Sequence, residues 1–248
     1  MDTPFNAKLA ISTPFGLYDS HAGGKRLPNV SVEWHRARMA MHVPCGYNMA
    51  EIRCDGWEIG EARNRVVQEA LDKNIKYLFF LDWDVLIPPM TLVRLVYLAD
   101  NNPEYDIVSG IYCMKQDPAE VLLWRSWGAG VDWDWTWGDT ITDAIGIGAG
   151  VMLLRMSMFE SLDGEKQPWF KTSIEHDEND DGTFTRREVT DDIWFCKRAV
   201  EETGAKILVD TGILCGHIDN DTGAVYTLPD DCLPMKRYNA LRNKKEVA

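Results

Sequence analysis

Tyr77-Leu78-Phe79-Phe80-Leu81-Asp82-Trp83-Asp84 is an apolar run that stops at two carboxylates one residue apart. A run this apolar reads as a strand buried on both faces, so the acids sit where the chain leaves the sheet. Open α/β sheets hold their ligands at that edge. Paired carboxylates there ask for a cation, and a divalent metal carrying a phosphorylated substrate is the best match.

Upstream, residues 8–13 read as a first strand, followed by Pro14 and a loop rich in Gly, His and Ser to about residue 29. A helical pattern covers 31–43 and a short strand 49–54. An amphipathic helix covers 60–73, with Ala62, Val66, Val67, Ala70 and Leu71 on one side. Downstream, Ile87-Pro88-Pro89 opens a helix over 90–99, because proline suits a first turn, and 106–113 returns as a strand. This alternation predicts right-handed crossovers and a Rossmann-like, mostly parallel central sheet flanked by helices.

The second half differs. Val121 to Trp124, a Trp/Asp-rich stretch at 131–137, and Gly146-Ile147-Gly148-Ala149-Gly150 leading into Val151-Met152-Leu153-Leu154-Arg155 read as shorter, mixed strands carrying a substrate surface. Residues 175–189 are polar enough for a mobile loop. A helix follows over 190–203, capped by Thr190 with Asp191 and Asp192 in its first turn, and then a last strand over 206–210.

At 248 residues, 45% of them hydrophobic, the chain can bury one large core, which predicts a single domain over 1–248. A formal charge of −13 argues against nucleic acid or an anionic membrane as partner, since phosphate backbones are bound by clustered Lys and Arg. Six widely spaced cysteines without a CxxC pair suggest neither a zinc site nor a disulfide framework. No apolar run approaches the roughly 20 residues that cross a bilayer, so a soluble, cytoplasmic protein without a transmembrane segment is expected.

Asp82-Trp83-Asp84 has a second copy, Asp132-Trp133-Asp134, which has no buried strand feeding it; the first is preferred for chemistry. His217 follows the last strand, and with Asp84 it would leave a Mn²⁺ or Mg²⁺ ion open positions for phosphate oxygens. Of the helix-capping pair, Asp192 is the candidate general base and Asp191 its neighbour that caps or holds an acceptor. Arg63 suits a phosphate or the nucleobase region, and the glycines at 146, 148 and 150 let backbone approach a sugar, although a bend needs no ligand. Trp124, Trp127, Trp133, Trp135 and Trp137, half of the ten tryptophans, offer faces that stack on pyranose rings. The basic tail with Lys236, Arg237, Arg242, Lys244 and Lys245 reads as a frayed helix in preference to a diphosphate clamp.

Taken in order, the strand ending near Pro14, Ala62-Arg63-Asn64, the triplet 82–84, the glycine turn 146–150, Asp191-Asp192 before Phe195-Cys196, and Val209-Asp210 before Gly216-His217 resemble a GT-A-fold glycosyltransferase of the family 2-like group. The resemblance spans residues 8–217. It implies a metal-dependent transfer of a sugar from a UDP- or GDP-sugar to a glycan or other hydroxyl acceptor. It places Pro14, Arg63, Asn64, Asp82 and Trp83 about the nucleotide, has Asp84 and His217 hold the metal with Asp82 at or near it, and makes Asp192 the base of an inverting reaction. By this likeness residues 1–115 form a nucleotide-binding half, 116–235 an acceptor- and metal-completing half, and 236–248 a basic tail. The group more often carries Glu-Asp where this chain has Asp191-Asp192, and retaining members of the fold also use a late histidine, so a retaining transfer stays open. A sugar-phosphate nucleotidyltransferase, for which Gly23-Gly24-Lys25-Arg26 is a faint phosphate loop, and a non-catalytic carbohydrate-binding protein are the rival readings.

Overall fold

The computed structural model describes residues 7–15, 18–19, 25–26, 30–162, 168–178 and 183–246. Its centre is a seven-stranded sheet built from β1 (Leu9–Ser12), β2 (Met49–Glu51), β3 (Tyr77–Leu81), β4 (Ile107–Ile111), β5 (Thr140–Ala144), β6 (Val151–Arg155) and β7 (Ile207–Leu214), in the spatial order β2-β1-β3-β6-β4-β7-β5. β1 runs parallel to β2 and β3, and β7 runs parallel to β4, whereas β6 lies antiparallel between β3 and β4 and β5 closes the far edge antiparallel to β7. The sheet is therefore mostly parallel, as the alternation of elements predicts.

Four helices cover it in two layers. On one face α1 (Val32–Ala40) and α3 (Thr91–Asn101) pack through Trp34, Leu92, Leu95 and Val96 against Leu9, Tyr77, Phe79, Leu81 and Leu153. On the other, α2 (Ile59–Asp72) and α4 (Asp191–Thr203) pack through Val66, Val67, Phe195 and Ala199 against Ala10, Leu78, Phe80, Met152 and Leu154. Successive residues of β3 thus enter opposite cores, which is why that strand is apolar at every position instead of alternating. Fully burying Phe79 and Phe80 contributes about 2 kcal/mol each.

Two expectations need correction. Val151–Arg155, read as part of a substrate surface, is the middle strand of the main sheet, because its apolar side chains are buried on both faces between β3 and β4. The stretch read as a loop over 175–189 is, among its described residues, an antiparallel hairpin of Ser173–Glu178 with Phe184–Val189, with β-forming Ile174, Phe184, Thr185 and Val189 interspersed among its charges. The basic tail lies in a helix, α5 (Leu233–Glu246), whose Arg237 bonds Asp134 at 2.6 Å and the Trp135 carbonyl at 3.1 Å. All six cysteines are free, and burial pushes the Cys196 thiol up to about 12, far from thiolate chemistry. Among the described residues no helix is long and apolar enough to cross a membrane.

Candidate active site

Because β1, β3, β4 and β7 share one direction, their C-terminal ends and the start of antiparallel β6 meet at one edge of the sheet. A cavity of about 820 Å³ opens there, lined by Arg63, Asp82, Asp84, Tyr112, Lys115, Trp124, Trp127, Asp191, Asp192 and His217, among others. Sheet direction, with the first turns of α2 and α4, gathers these residues from six separate parts of the chain.

The Asp82–Asp84 triplet is fixed by its backbone. Asp82 N–H donates to the Gly150 carbonyl at 3.0 Å, which extends the β3–β6 ladder by one rung, and the Asp82 carbonyl accepts the Trp34 indole N–H at 2.8 Å. The chain then turns into Val85–Leu86, which pairs antiparallel with Gly216–Ile218 in the register His217 opposite Val85. Ile218 N–H donates to the Asp84 carbonyl at 2.8 Å. This short ladder carries His217 across to the triplet, so that its Nε2 lies 3.5 Å from Asp84 Oδ2.

The imidazole is oriented from behind. Its Nδ1 lies 2.8 Å from the Cys113 carbonyl oxygen, which can only accept, so the hydrogen-bond network assigns the proton to Nδ1. Nε2 is then the nitrogen turned toward Asp84: carrying a proton it donates to the carboxylate, and without one it presents a lone pair, the arrangement found in metal-bound histidines. The ring also meets Tyr112 edge-on, with centroids 5.4 Å apart. Burial alone would raise the Asp84 carboxyl, but hydrogen bonding and charge from His217, together with the Lys115 ammonium on Oδ2, hold it below the ordinary value.

Asp82, expected among the metal ligands, instead presents both oxygens to Arg63 Nη2, at 2.8 and 2.9 Å. Burial raises its pKa first of all, and the neighbouring Asp84 charge adds to this against the opposing pull of Arg63. Arg63, only 3% exposed, also bonds Asp191 at 2.5 Å through Nη1, so the guanidinium expected at a nucleotide is spent on two carboxylates while still lining the cavity. Burial would lower its pKa, but the two acids outweigh this and keep it well above the ordinary value. Among the described residues no group of three or more His, Cys, Asp or Glu side chains is placed to hold a metal ion. The donors that fit a divalent cation are the facing pair Asp84 and His217, with Lys115 already seated on the same carboxylate oxygen.

Asp192 Oδ2 accepts the Ala149 N–H at 3.2 Å, and Oδ1 accepts the Ile193 N–H at 2.8 Å and the Thr190 hydroxyl. Thr190 thus turns its hydroxyl to Asp192 and makes no side-chain cap to α4, contrary to the capping expectation. Burial and then the adjacent Asp191 charge raise the Asp192 pKa.

The remaining predicted residues divide. Trp83, the middle of the triplet, has the Lys115 ammonium 5.6 Å from its ring centroid but does not line the cavity, and neither does Pro14, buried at the end of β1. Asn64 does not join the site: its amide accepts the Trp169 and Phe170 N–H groups at 2.9 Å and donates to the Phe170 carbonyl at 2.8 Å, clamping that loop to α2. Trp124 and Trp127 line the cavity, whereas Trp133, Trp135 and Trp137 pack on the core. A Cβ on Gly148 would lie 2.1 Å from the Tyr112 hydroxyl, so the glycine bend makes room for Tyr112, whose oxygen accepts the Gly150 N–H at 2.9 Å. In the second triplet Asp132 faces Arg125 and Asp134 faces Arg237, both outside this cavity. Gly23 and Gly24 of the faint phosphate loop lie outside the described residues.

Sequence reasoning missed Tyr112 and Lys115. Both follow β4 as the Asp82–Asp84 triplet follows β3, so any polar residue just past a second buried parallel strand should have been assigned to the same edge.

No protein-family model and no curated protein matches the chain. Among solved structures it is similar to A197 from STIV, with a TM-score of 0.55 and 15% identity over 91% of this chain and 96% of that one. It is also similar to CMP:2-keto-3-deoxy-manno-octonic acid synthetase complexed with CTP (TM-score 0.48, 11% identity, 97% of this chain and 98% of that one). A third likeness is to S. aureus TarS 1-349 in complex with UDP-GlcNAc (TM-score 0.44, 14% identity, 92% of this chain and 60% of that one). The fold is α/β with a mostly parallel central sheet flanked by helices, as the sequence leads one to expect; at 15% identity the likeness to A197 speaks for architecture alone, and the reaction must be argued from the side chains of the site.

Proposed function

We propose that the chain is a metal-dependent glycosyltransferase that moves a sugar from a nucleotide-sugar donor, a UDP- or GDP-sugar, to an acceptor hydroxyl with inversion. One arrangement carries the reading: the facing pair Asp84 and His217 and the raised carboxylate Asp192 line the same cavity at the C-terminal edge of the parallel strands.

In this reading Asp84 and His217 hold Mn²⁺ or Mg²⁺, which supplies positive charge against the charge that builds on a departing nucleoside diphosphate. Arg63 keeps the Asp82 end of the triplet rigid and the Asp191 end of α4 close to it, so that donor and acceptor subsites keep one spacing. Asp192 removes the acceptor proton at Oδ2, the oxygen approached by Ala149 N–H, while Thr190 and Ile193 steady Oδ1. Trp124 and Trp127 give the acceptor flat apolar faces, and Glu175 and Glu188 of the hairpin give it a polar rim.

Two measurements test this. In a thermal-shift panel of nucleoside diphosphates with and without Mn²⁺, UDP or GDP should raise the melting temperature more with the ion than without it. Asp84→Ala, or excess EDTA, should abolish sugar transfer; wild-type turnover under either condition refutes the reading. Release of pyrophosphate from a nucleoside triphosphate and a sugar phosphate would reassign the site to nucleotidyl transfer.

A further inference from the structure

Among the described residues, six carboxylates line the cavity (Asp82, Asp84, Glu175, Glu188, Asp191 and Asp192) against three cationic side chains, Arg63, Lys115 and Lys197. A diphosphate entering so acidic a cavity needs positive charge to meet it, and Arg63 is already bound to Asp82 and Asp191. Lys115 is placed differently. Its ammonium bonds Asp84 Oδ2, the same oxygen that faces His217 Nε2, and lies 5.6 Å from the centre of the Trp83 ring. Its side chain is 27% exposed, on a flexible four-carbon stem that can redirect the charge without moving backbone.

We infer that Lys115 is a tethered cation that occupies the metal's place on Asp84 until a nucleoside diphosphate draws it onto the phosphates, so that metal and diphosphate bind cooperatively. The inference rests on the glycosyl-transfer reading and adds to it an order of events. Without diphosphate, Asp84 is already neutralised and a divalent ion must displace an ammonium to bind. With diphosphate, the ammonium gains two phosphate groups as partners, and Asp84 and His217 are released together to an ion that the same phosphates help to hold. By reciprocity, the ion must strengthen diphosphate binding by the same factor.

The test uses the full chain and two probes measured separately and together: Mn²⁺ followed by electron paramagnetic resonance, and UDP and GDP followed by calorimetry. Lys115→Gln should bind Mn²⁺ alone about tenfold more tightly than wild type and bind metal-free diphosphate about tenfold more weakly, with the mutual enhancement reduced accordingly. Lys115→Arg keeps the charge and should behave as wild type toward Mn²⁺ alone, which separates the charge from any general disturbance of the fold. If Lys115→Gln changes neither constant by more than about twofold, or weakens diphosphate without tightening Mn²⁺, the tethered-cation role is overturned and the transferase reading stands. If wild type binds neither UDP nor GDP even with Mn²⁺, the transferase reading itself fails and takes this inference with it.

Discussion

Replacing Arg63 with methionine removes the one positive charge shared by two carboxylates at the heart of the site. The guanidinium is 3% exposed and makes three N–H···O contacts, two to Asp82 at 2.8 and 2.9 Å and one to Asp191 at 2.5 Å. Methionine fills much of the same volume, so cavity formation is a minor part of the loss, and what remains is two acids without their counter-ion. Removing one partner of a buried ion pair costs roughly 3–5 kcal/mol. For a chain of this length each kcal/mol lowers Tm by about 2–4 °C, so Arg63→Met should melt roughly 6–20 °C below wild type. Lysine should not rescue it, because a single ammonium cannot span both carboxylates as the planar fork does. The decisive comparison is the triple variant Arg63→Met, Asp82→Asn, Asp191→Asn, in which the stranded charges are removed too; it should regain most of the loss in calorimetry. A loss under about 2 °C in the single variant, or no recovery in the triple, would show that the ion pairs do not hold this edge together.

Asp192→Asn should fold and bind diphosphate but lose turnover. Because the Asp192 pKa is raised in the fold, its ionisation cost is absent in acid and appears as pH rises through the folded value, so the variant should gain on wild type in Tm from acid to neutral pH; full activity would return Asp192 to a helix-terminal role. Asp84 has the opposite sign. Its lowered carboxyl stabilises the fold at every pH above its unfolded value and loses that advantage as pH falls through the folded one, so the gap between wild type and Asp84→Asn in urea titrations should close in acid, and a gap that widens there contradicts the assignment. Gly148→Ala should cost about 1–3 kcal/mol in urea unfolding, since the new methyl meets the Tyr112 hydroxyl, and adding Tyr112→Phe should recover part of it; an unchanged midpoint would mean the bend relaxes freely.

The apolar run 77–81 announced a strand with two buried faces, and direction did the rest: once β3 is parallel to its neighbour, Asp82 and Asp84 must emerge at the ligand edge. His217 was legible as a lone polar residue after the last strand and was set beside Asp84, but the ladder that carries it there was not legible, because Gly216 pairs with Leu86 and His217 with Val85, 217 − 85 = 132 positions away, and nothing in either segment announces the other. Strand 151–155 was legible as a strand but not as the antiparallel middle of the sheet, since an apolar run carries no sign of its direction. Asn64 and Arg63 are adjacent in α2 and therefore point about 100° apart, which sends one to the cavity and the other to the Phe170 loop; the sequence pattern alone made them look like one unit. Lys115 escaped notice because a lysine beyond a strand ordinarily means solvent, and its carboxylate partner lies 31 residues away.

The antiparallel position of β6 bears on how the molecule comes together during synthesis. β3 and β4 leave the ribosome well before residues 151–155, yet they are not neighbours in the finished sheet; each waits for a strand that slides in between them and hydrogen-bonds to both sides at once. A nascent chain cut short of Arg155 therefore has one half-sheet, β2-β1-β3, with an exposed edge, and a β4 whose two neighbours, β6 and β7, are both still missing, the condition under which non-local pairing is slow and sticky. The edge that carries the candidate site is a late product of assembly, since Asp82 takes its Gly150 rung only when β6 is in place.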